Sequence, residues 1–475
     1  MIAVATKAGK GSRPGKANGR GWLEVFIAVQ YCSSALLLIP GTQPMRIVVR
    51  TLPYIFSLAM LYLIRNTHKG TQKMPPGGML LILALVILGI NLLHPYTDLS
   101  AGTAQVVFQL SIAAPLIWSA RLRLDQPRFN RLVWLIFLFS AASSVLGLLQ
   151  VYYPDTFMPP EFSAQAIRMN PDTVEALSYI GANGQFITRP PGLTDMPGGA
   201  AVGAVTAAML GLTFGAQAGQ SWYKRVAYFV LAGVGLVTLY FTQVRSLLIM
   251  SVGAVLVMSI LLMRQRRAVQ SITLAATTLA LLFGAFTWAT AFGGDSVYER
   301  FMVIADTGIA ESFQQNRGIF IQQTIEELLY EYPMGAGLGR WGMMRANFGS
   351  LDNPNEQIWV EIQMTGWLLD GGILMWITYG GAILLSLYFT FREASNLNDP
   401  RLSYSALTVF SLNLIVVGLT FSGPAFNTQL GIQYWFLIGL LYATVKSTCR
   451  VTPQPEKVGL ELLEQSAMSA SRHYS

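Results

Sequence analysis

Residues 246–263 decide the fold of this chain; they read SLLIMSVGAVLVMSILLM and carry no charge. Arg245 and Arg264 stand at the two ends of the stretch. An α-helix rises about 1.5 Å per residue, so these residues would cover roughly 27 Å, close to the ~30 Å thickness of a bilayer's hydrocarbon core. The stretch therefore predicts a helix that crosses a membrane with an arginine at each surface.

Composition extends this interpretation to the whole chain. Of the 475 residues, 53% are apolar and 12% are charged, whereas a soluble domain has about 25% charged residues. Apolar runs recur from Trp22 to Lys446 without a long polar insert. We therefore expect an all-α integral membrane protein with one polytopic membrane domain, residues 21–447. A basic cytoplasmic segment, residues 1–20, precedes this domain, and a cytoplasmic tail, residues 448–475, follows it.

The apolar runs predict about twelve transmembrane helices, because each run is long enough to cross a bilayer. The predicted spans are Trp22–Pro40, Ile47–Ile64, Gly78–Leu93, Ala101–Ala120, Leu132–Tyr152, Pro197–Gly219, Ala227–Gln243, Ser246–Met263, Gln270–Phe292, Gly366–Thr390, Tyr404–Ser422 and Gly431–Val445. The first is interpreted as an uncleaved signal anchor, since no small-residue cleavage site follows it. Two outer loops are long, residues 153–196 and 293–365, and the larger one lies between spans 9 and 10.

The distribution of basic residues predicts the orientation in the membrane. With a cytoplasmic N-terminus, 23 of the 32 Lys and Arg residues fall on the cytoplasmic side, as the positive-inside rule requires. We therefore predict a multi-pass protein of the bacterial inner membrane with both termini cytoplasmic. The same rule accounts for the net charge of +8, so the charge does not indicate a nucleic-acid partner.

The basic residues predicted on the outer side are all arginine. They are Arg46, Arg50, Arg168, Arg189, Arg245, Arg300, Arg317, Arg340 and Arg345. The planar guanidinium fork suits bidentate contact with phosphate or carboxylate, which the point charge of lysine does not offer. This pattern suggests that the outer face binds an anion.

The larger outer loop predicts an amphipathic helix over about 314–331, which ends before Pro333 and a glycine-rich stretch, MGAGLGR, over residues 334–340. A helical wheel groups Ile321, Ile325 and Leu328 on one side, and Arg317 falls on that apolar side. Two interpretations remain open. Either the Arg317 stem lies beside lipid headgroups, or the guanidinium points into a cavity and holds an anion.

Two further arginines stand at turns on the outer side. Arg245 lies in a tight hairpin between two spans, where it is either an interfacial anchor or a functional group. Arg189 opens the stretch RPPGLTDMPGG, whose prolines and glycines predict a rigid turn into the sixth span. The alternative for Arg189 is a simple ion pair with Asp195.

Three of these stretches together resemble the O-antigen polymerase and O-antigen ligase family of membrane glycosyltransferases. The matching stretches are Arg189-Pro-Pro-Gly192, Val244-Arg245-Ser246, and Asn316-Arg317 followed after fifteen residues by Pro333-Met-Gly335-Ala-Gly337. Where the family has His-Asn, this chain reads Asp352-Asn-Pro-Asn-Glu356. The histidines, His68, His94 and His473, lie outside both long outer loops. Because the family's ligases use the loop histidine as their base, the resemblance favours a polymerase, with a ligase as the alternative.

The resemblance implies a glycosyl transfer that needs neither metal nor cofactor. The donor would be a polyprenyl-diphosphate-linked glycan and the acceptor a second glycan, with membrane lipid, a flippase and a chain-length regulator of the same pathway as partners. The diphosphate leaving group would be held by Arg245 and Arg317, supported by Arg189 and followed by Arg300 and Arg340. The base would be Asp352, Glu356 or Glu361, and the alternative is that these three form a solvated acidic loop.

Other classes fit the sequence less well. A twelve-helix transporter with two similar halves would have a long cytoplasmic loop after the sixth span, but residues 220–226 make that loop short. Neither a Cys-x-x-Cys pair nor a His/Cys cluster suggests a metal site. The long outer loop therefore favours a membrane enzyme over a transporter.

Overall fold

The computed structural model describes residues 21–64, 73–159, 177–349 and 357–451. The predicted cytoplasmic segment 1–20 and most of the predicted tail lie outside these residues. The helices of more than ten residues, labelled here in chain order, are α1 Trp22–Cys32, α2 Arg46–Leu63, α3 Gly78–Ile90, α4 Leu99–Ser119, α5 Gln126–Tyr152, α6 Ala200–Ala216, α7 Trp222–Thr242, α8 Arg245–Arg264, α9 Ala268–Thr307, α10 Gln363–Ala394, α11 Pro400–Leu419 and α12 Gln429–Val451.

Short helical elements and one strand pair join these helices. Single helical turns are Ser34–Leu38, Gln43–Met45, Asn91–Leu93, Pro154–Phe157 and Ala425–Asn427. The larger of the two predicted outer loops contains the helices Ile309–Phe313, Ile319–Gln323, Leu329–Glu331 and Gly342–Phe348, with π-helical stretches at Gln314–Gly318 and Thr324–Leu328. The strands Ser178–Ile180 and Phe186–Thr188 pair antiparallel, with Tyr179 opposite Ile187.

The described chain is an all-α membrane protein. Eight helices are long and apolar enough to cross a membrane by length and composition, namely α2, α4, α5, α7, α8, α9 as far as Val303, α10 and α11. Shorter apolar helical stretches occur at Trp22–Leu38, Gly78–Leu93 and Ala200–Ala216. One helix lies at each of the twelve predicted positions, but eight meet the spanning criteria, so the number twelve stays a prediction.

Helix α11 lies at the centre of the bundle and α9 at its edge. In their most apolar eighteen-residue windows, 83% of α11 is buried within the protein but only 22% of α9. Small residues allow α6 and α7 to approach closely, since a Cβ atom at Gly235 would lie 2.7 Å from the Ala204 carbonyl oxygen. Helices α6 and α7 therefore pack with their backbones in close contact.

Glycine kinks bend two of the long helices, α9 and α10. Gly294 has φ +65° and interrupts α9, and the strand hairpin packs there, with the Ala182 N–H donating to the Phe292 carbonyl over 3.0 Å. Gly372 has φ +65° and interrupts α10, where the Ile373 N–H donates to the Pro333 carbonyl over 3.0 Å. A side chain at either glycine would collide with backbone, so the kinks fix where the outer segments dock.

The predicted helix is present, and it contains two π-helical stretches. The two π-helical stretches change the register, and the residues of the 314–331 region that become buried are Gly318 and Thr324. The Thr324 hydroxyl lies 2.6 Å from the Thr365 hydroxyl on α10, whereas Ile325 is 44% exposed. The side that packs on α10 is therefore not the apolar side of the helical wheel, because an ideal 3.6-residue period does not hold across π turns.

Candidate functional site

Three of the five predicted diphosphate-binding arginines come together where α7 ends, α8 begins and α9 extends beyond its kink, on the side that the sequence predicts to be outer. Arg189 follows the second strand, Arg245 is the first residue of α8, and Arg300 lies beyond the Gly294 kink of α9. Arg189 and Arg245 are close enough to Arg300 for their positive charges to repel its guanidinium. We call Arg189, Arg245 and Arg300 the arginine cluster.

The arginine cluster is partly buried and lacks a described counter-ion. All three side chains are half-buried, and burial lowers the pKa of Arg189 from its usual value. In the described ranges no ion pair involves any of the three, and the Nε atoms of Arg189 and Arg300 are buried there without a hydrogen-bond partner. Guanidinium groups that repel one another in a desolvated place are stabilised by an anion.

Backbone donors reinforce the positive potential of the arginine cluster. Helix α8 begins at Arg245 with no side-chain cap, so the N-terminal end of its dipole points toward the cluster region. The adjoining Gln243 is 4% exposed, has φ +55°, and its side-chain Nε2 has no hydrogen-bond partner among the described residues. Helix N-termini with nearby arginine bind phosphate well.

A rigid loop positions Arg189. The Gly192 N–H donates to Gln150 Oε1 over 2.7 Å, and the Gln150 amide donates back to the Gly192 carbonyl over 3.0 Å. Gly192 has φ +64°, and the Gly198 N–H donates to the Arg189 carbonyl over 3.0 Å. The turn predicted from the prolines and glycines is therefore confirmed, and its contacts with α5 hold Arg189 in place.

A large cavity lies beside this loop. Its volume is about 1220 Å³, and α1, α2, α12, the loop before α6 and the short helix Gly342–Phe348 form its walls. The cavity is lined by none of the five arginines chosen from the sequence. Instead, the charged groups among its described lining residues are Arg46, Arg50 and Asp195.

Asp195 binds two arginines of α2. Its Oδ2 lies 2.7 Å from Arg46 Nε and its Oδ1 2.6 Å from Arg50 Nη2, and the Asp195 side chain is 2% exposed. The ion pair between Arg189 and Asp195 that the sequence suggested is therefore wrong. Arg46 and Arg50 are one helical turn apart, so both forks reach the same carboxylate.

The structure places Arg317 in a different environment from the cluster. Arg317 forms a short ion pair with Glu361, whose other oxygen accepts a hydrogen bond of 2.9 Å from Trp359 Nε1. Because both Glu361 oxygens are engaged, this carboxylate suits the positioning of Arg317 better than proton abstraction. Asp352 and Glu356, the other two predicted base candidates, lie outside the described residues.

Arg340 lies beside a histidine that the sequence did not assign to a site. The Arg340 guanidinium stands 5.9 Å from the centre of the Tyr96 ring and donates to the Ala336 carbonyl over 3.1 Å. Burial and the charge of Arg340 lower the pKa of His94. His94 comes from the segment between α3 and α4, and no local sequence signal links that segment to the larger loop.

Arg46 and Arg50 line the cavity, but the sequence motifs did not select them as site residues. Both were among the predicted outer arginines, and that segregation was the only sequence signal for them. Among the residues that the structure describes, no group of three or more His, Cys, Asp or Glu could hold a metal ion. A scan against protein-family models and a search of curated proteins found no match for this chain.

Proposed function

We propose that this protein polymerises polyprenyl-diphosphate-linked oligosaccharide units into a surface polysaccharide on the outer face of a bacterial inner membrane. The observation that carries the proposal is the arginine cluster, in which the charges of Arg189 and Arg245 repel the Arg300 guanidinium and no ion pair within the described ranges involves any of the three. A lipid diphosphate at the membrane surface is an anion of opposite charge. The motif resemblance of the same arginines supports this choice of ligand.

The proposed reaction is a direct glycosyl transfer. The oxygen of an acceptor hydroxyl attacks the anomeric carbon, the bond from that carbon to the diphosphate oxygen breaks, and the electron pair leaves with the diphosphate. Arg189, Arg245 and Arg300 stabilise the charge that develops on the leaving group. The hydroxyl proton passes to a carboxylate, for which Asp352 and Glu356 are our candidates.

The proposal includes the topology. We propose twelve spans with both termini cytoplasmic, so that the arginine cluster and both long loops lie outside. This orientation puts 23 of 32 basic residues in the cytoplasm. The partners we propose are the lipid-linked glycan, membrane lipid, and a flippase and a chain-length regulator of the same pathway.

The test is the surface glycan of a null mutant complemented with variants in the native host. Arg245→Lys and Arg300→Lys should each reduce polymer at least about a hundredfold, because lysine cannot reproduce bidentate phosphate contacts. Arg345→Lys is the matched control, since Arg345 is also an outer arginine and its side chain is 15% exposed. Membrane levels of every variant are measured in parallel.

The glycan that accumulates in the null mutant separates the proposal from its alternatives. A polymerase defect leaves single oligosaccharide units on the outer surface. Polymer that remains on its lipid carrier instead indicates a ligase, and lipid-linked units confined to the cytoplasmic face indicate a transporter. Either of the last two patterns would contradict the polymerase proposal.

A further inference from the structure

Asn413 places a polar amide at the centre of the helix bundle. It lies on α11, at the middle of the predicted span Tyr404–Ser422, and it is 0% exposed. Neither its Nδ2 nor its Oδ1 has a hydrogen-bond partner in the part of the chain that the structure describes. An amide in apolar surroundings is costly to bury unless it is hydrogen-bonded, so Asn413 needs a ligand that completes its hydrogen bonds.

A small cavity adjoins this amide. Its volume is about 20 Å³, and helices α6, α8, α11 and α12 form its walls. A buried water molecule needs a cavity of at least about 10–15 Å³, so the size suits one water molecule. The polar side chains among the described lining residues are Thr206, Asn413 and Gln433, and the other lining side chains are apolar.

The chemistry of the lining favours water over an ion. Asn413 offers a donor at Nδ2 and an acceptor at Oδ1, and the Thr206 hydroxyl can act as either. A water molecule both donates and accepts, whereas a cation would be repelled by Nδ2 and an anion by Oδ1. None of the described lining residues is charged, so the wall offers no group to balance a buried ion.

Water reaches this site by a short path. The small cavity and the large cavity of about 1220 Å³ share two lining residues, Leu430 and Gln433 of α12. Gln433 is half-buried, and its Oε1 accepts a long hydrogen bond of 3.4 Å from the Tyr31 hydroxyl. The Gln433 side chain therefore stands between the large cavity and Asn413.

We propose that the small cavity is a binding site for one structural water molecule, held by Asn413 of α11 and Thr206 of α6. The water completes the hydrogen bonds of Asn413 and links the two helices at the centre of the bundle. Near the start of α11, Tyr404 links the same helices directly, since its hydroxyl donates to the Thr213 carbonyl over 2.5 Å. The water site does not involve the arginine cluster, so it does not depend on the proposed function.

Radiolytic footprinting tests the site, because hydroxyl radicals formed from a bound water oxidise the side chains around it even where bulk solvent has no access. The full chain in phosphatidylcholine nanodiscs is irradiated with X-rays, and oxidised side chains are identified by tandem mass spectrometry. Leu437 lines the small cavity and is 1% exposed, whereas Leu441, one turn later on α12, is 0% exposed and lines neither cavity. We expect oxidation of Leu437 well above that of Leu441.

Two variants connect this oxidation to the proposed ligands of the water. Asn413→Leu has a side chain of similar size without polar atoms, so oxidation of Leu437 should fall to the level of Leu441. If Asn413→Leu does not fold, Thr206→Val decides, because it keeps the shape of the side chain, removes one partner of the water and should lower the oxidation. Equal oxidation of Leu437 and Leu441 in the native chain would overturn the inference. Undiminished oxidation of Leu437 in the folded variant would overturn it as well.

Discussion

Replacing Asp195 by alanine tests whether the cavity wall depends on one buried carboxylate. The Asp195 side chain is 2% exposed, and its partners Arg46 and Arg50 are 14% and 19% exposed. Removing one partner of a buried ion pair costs about 3–5 kcal/mol. Because both arginines keep some access to water, we expect a loss below that range, about 2–3 kcal/mol in the free energy of unfolding.

The free energy of unfolding would be measured by reversible titration with dodecyl sulfate in mixed micelles. Asp125→Ala is the control, since Asp125 caps α5 by accepting from the Arg128 N–H over 3.2 Å, and loss of a cap costs about 1 kcal/mol. The Arg46→Gln, Arg50→Gln, Asp195→Asn triple variant removes all three charges, so we expect it to be more stable than Asp195→Ala. A cost below about 0.5 kcal/mol for Asp195→Ala, as at an ordinary surface site, would refute the reasoning, as would a triple variant less stable than the single one.

Three other predictions concern single variants; the first two are measured as the free energy of unfolding and the third as polymer formation. Gly372→Ala should lower the free energy of unfolding by about 2–4 kcal/mol, because Gly372 has φ +65° and an added Cβ atom would collide with the Pro333 carbonyl. Gly253→Ala is the control, because no atom lies within 4 Å of an added Cβ atom there, and it should not destabilise the protein. Arg345→Met should cost about 2–3 kcal/mol, since Arg345 lies 2.9 Å from Asp98, which is 3% exposed, and a fully stable variant would contradict this. Glu361→Gln should lower polymer formation by about tenfold or less with an unchanged pH profile, whereas a loss of two or more orders of magnitude would identify Glu361 as the base.

Helix positions could be predicted from the sequence because they depend on local composition. An uncharged apolar run such as 246–263 must satisfy its backbone hydrogen bonds internally in lipid, and a helix does so within the run itself. The rigid turn that begins at Arg189 was predictable for the same reason, since proline and glycine restrict the backbone directly. Both features are present in the structure.

The bends of the helices could not be predicted in this way. Gly294 and Gly372 lie among many glycines in this chain, and nothing local distinguishes them from Gly253, which remains helical. Their positive φ angles are set by the segments that dock against them, Ala182 at Gly294 and Pro333-Met334 at Gly372. The π turns around Thr324 likewise follow from packing on α10 rather than from a sequence period.

The sequence by itself determined that this is an all-α membrane protein, and it singled out arginine as the cation of the predicted outer face. Only the tertiary structure decided which arginines share a site. It joined Arg189, Arg245 and Arg300 from three separate segments, and it gave Asp195 to Arg50, 145 residues away, rather than to Arg189. The physical reason is range: a helix satisfies its backbone within a few residues, whereas a charged side chain pairs with whatever the packing of distant helices brings within hydrogen-bonding distance.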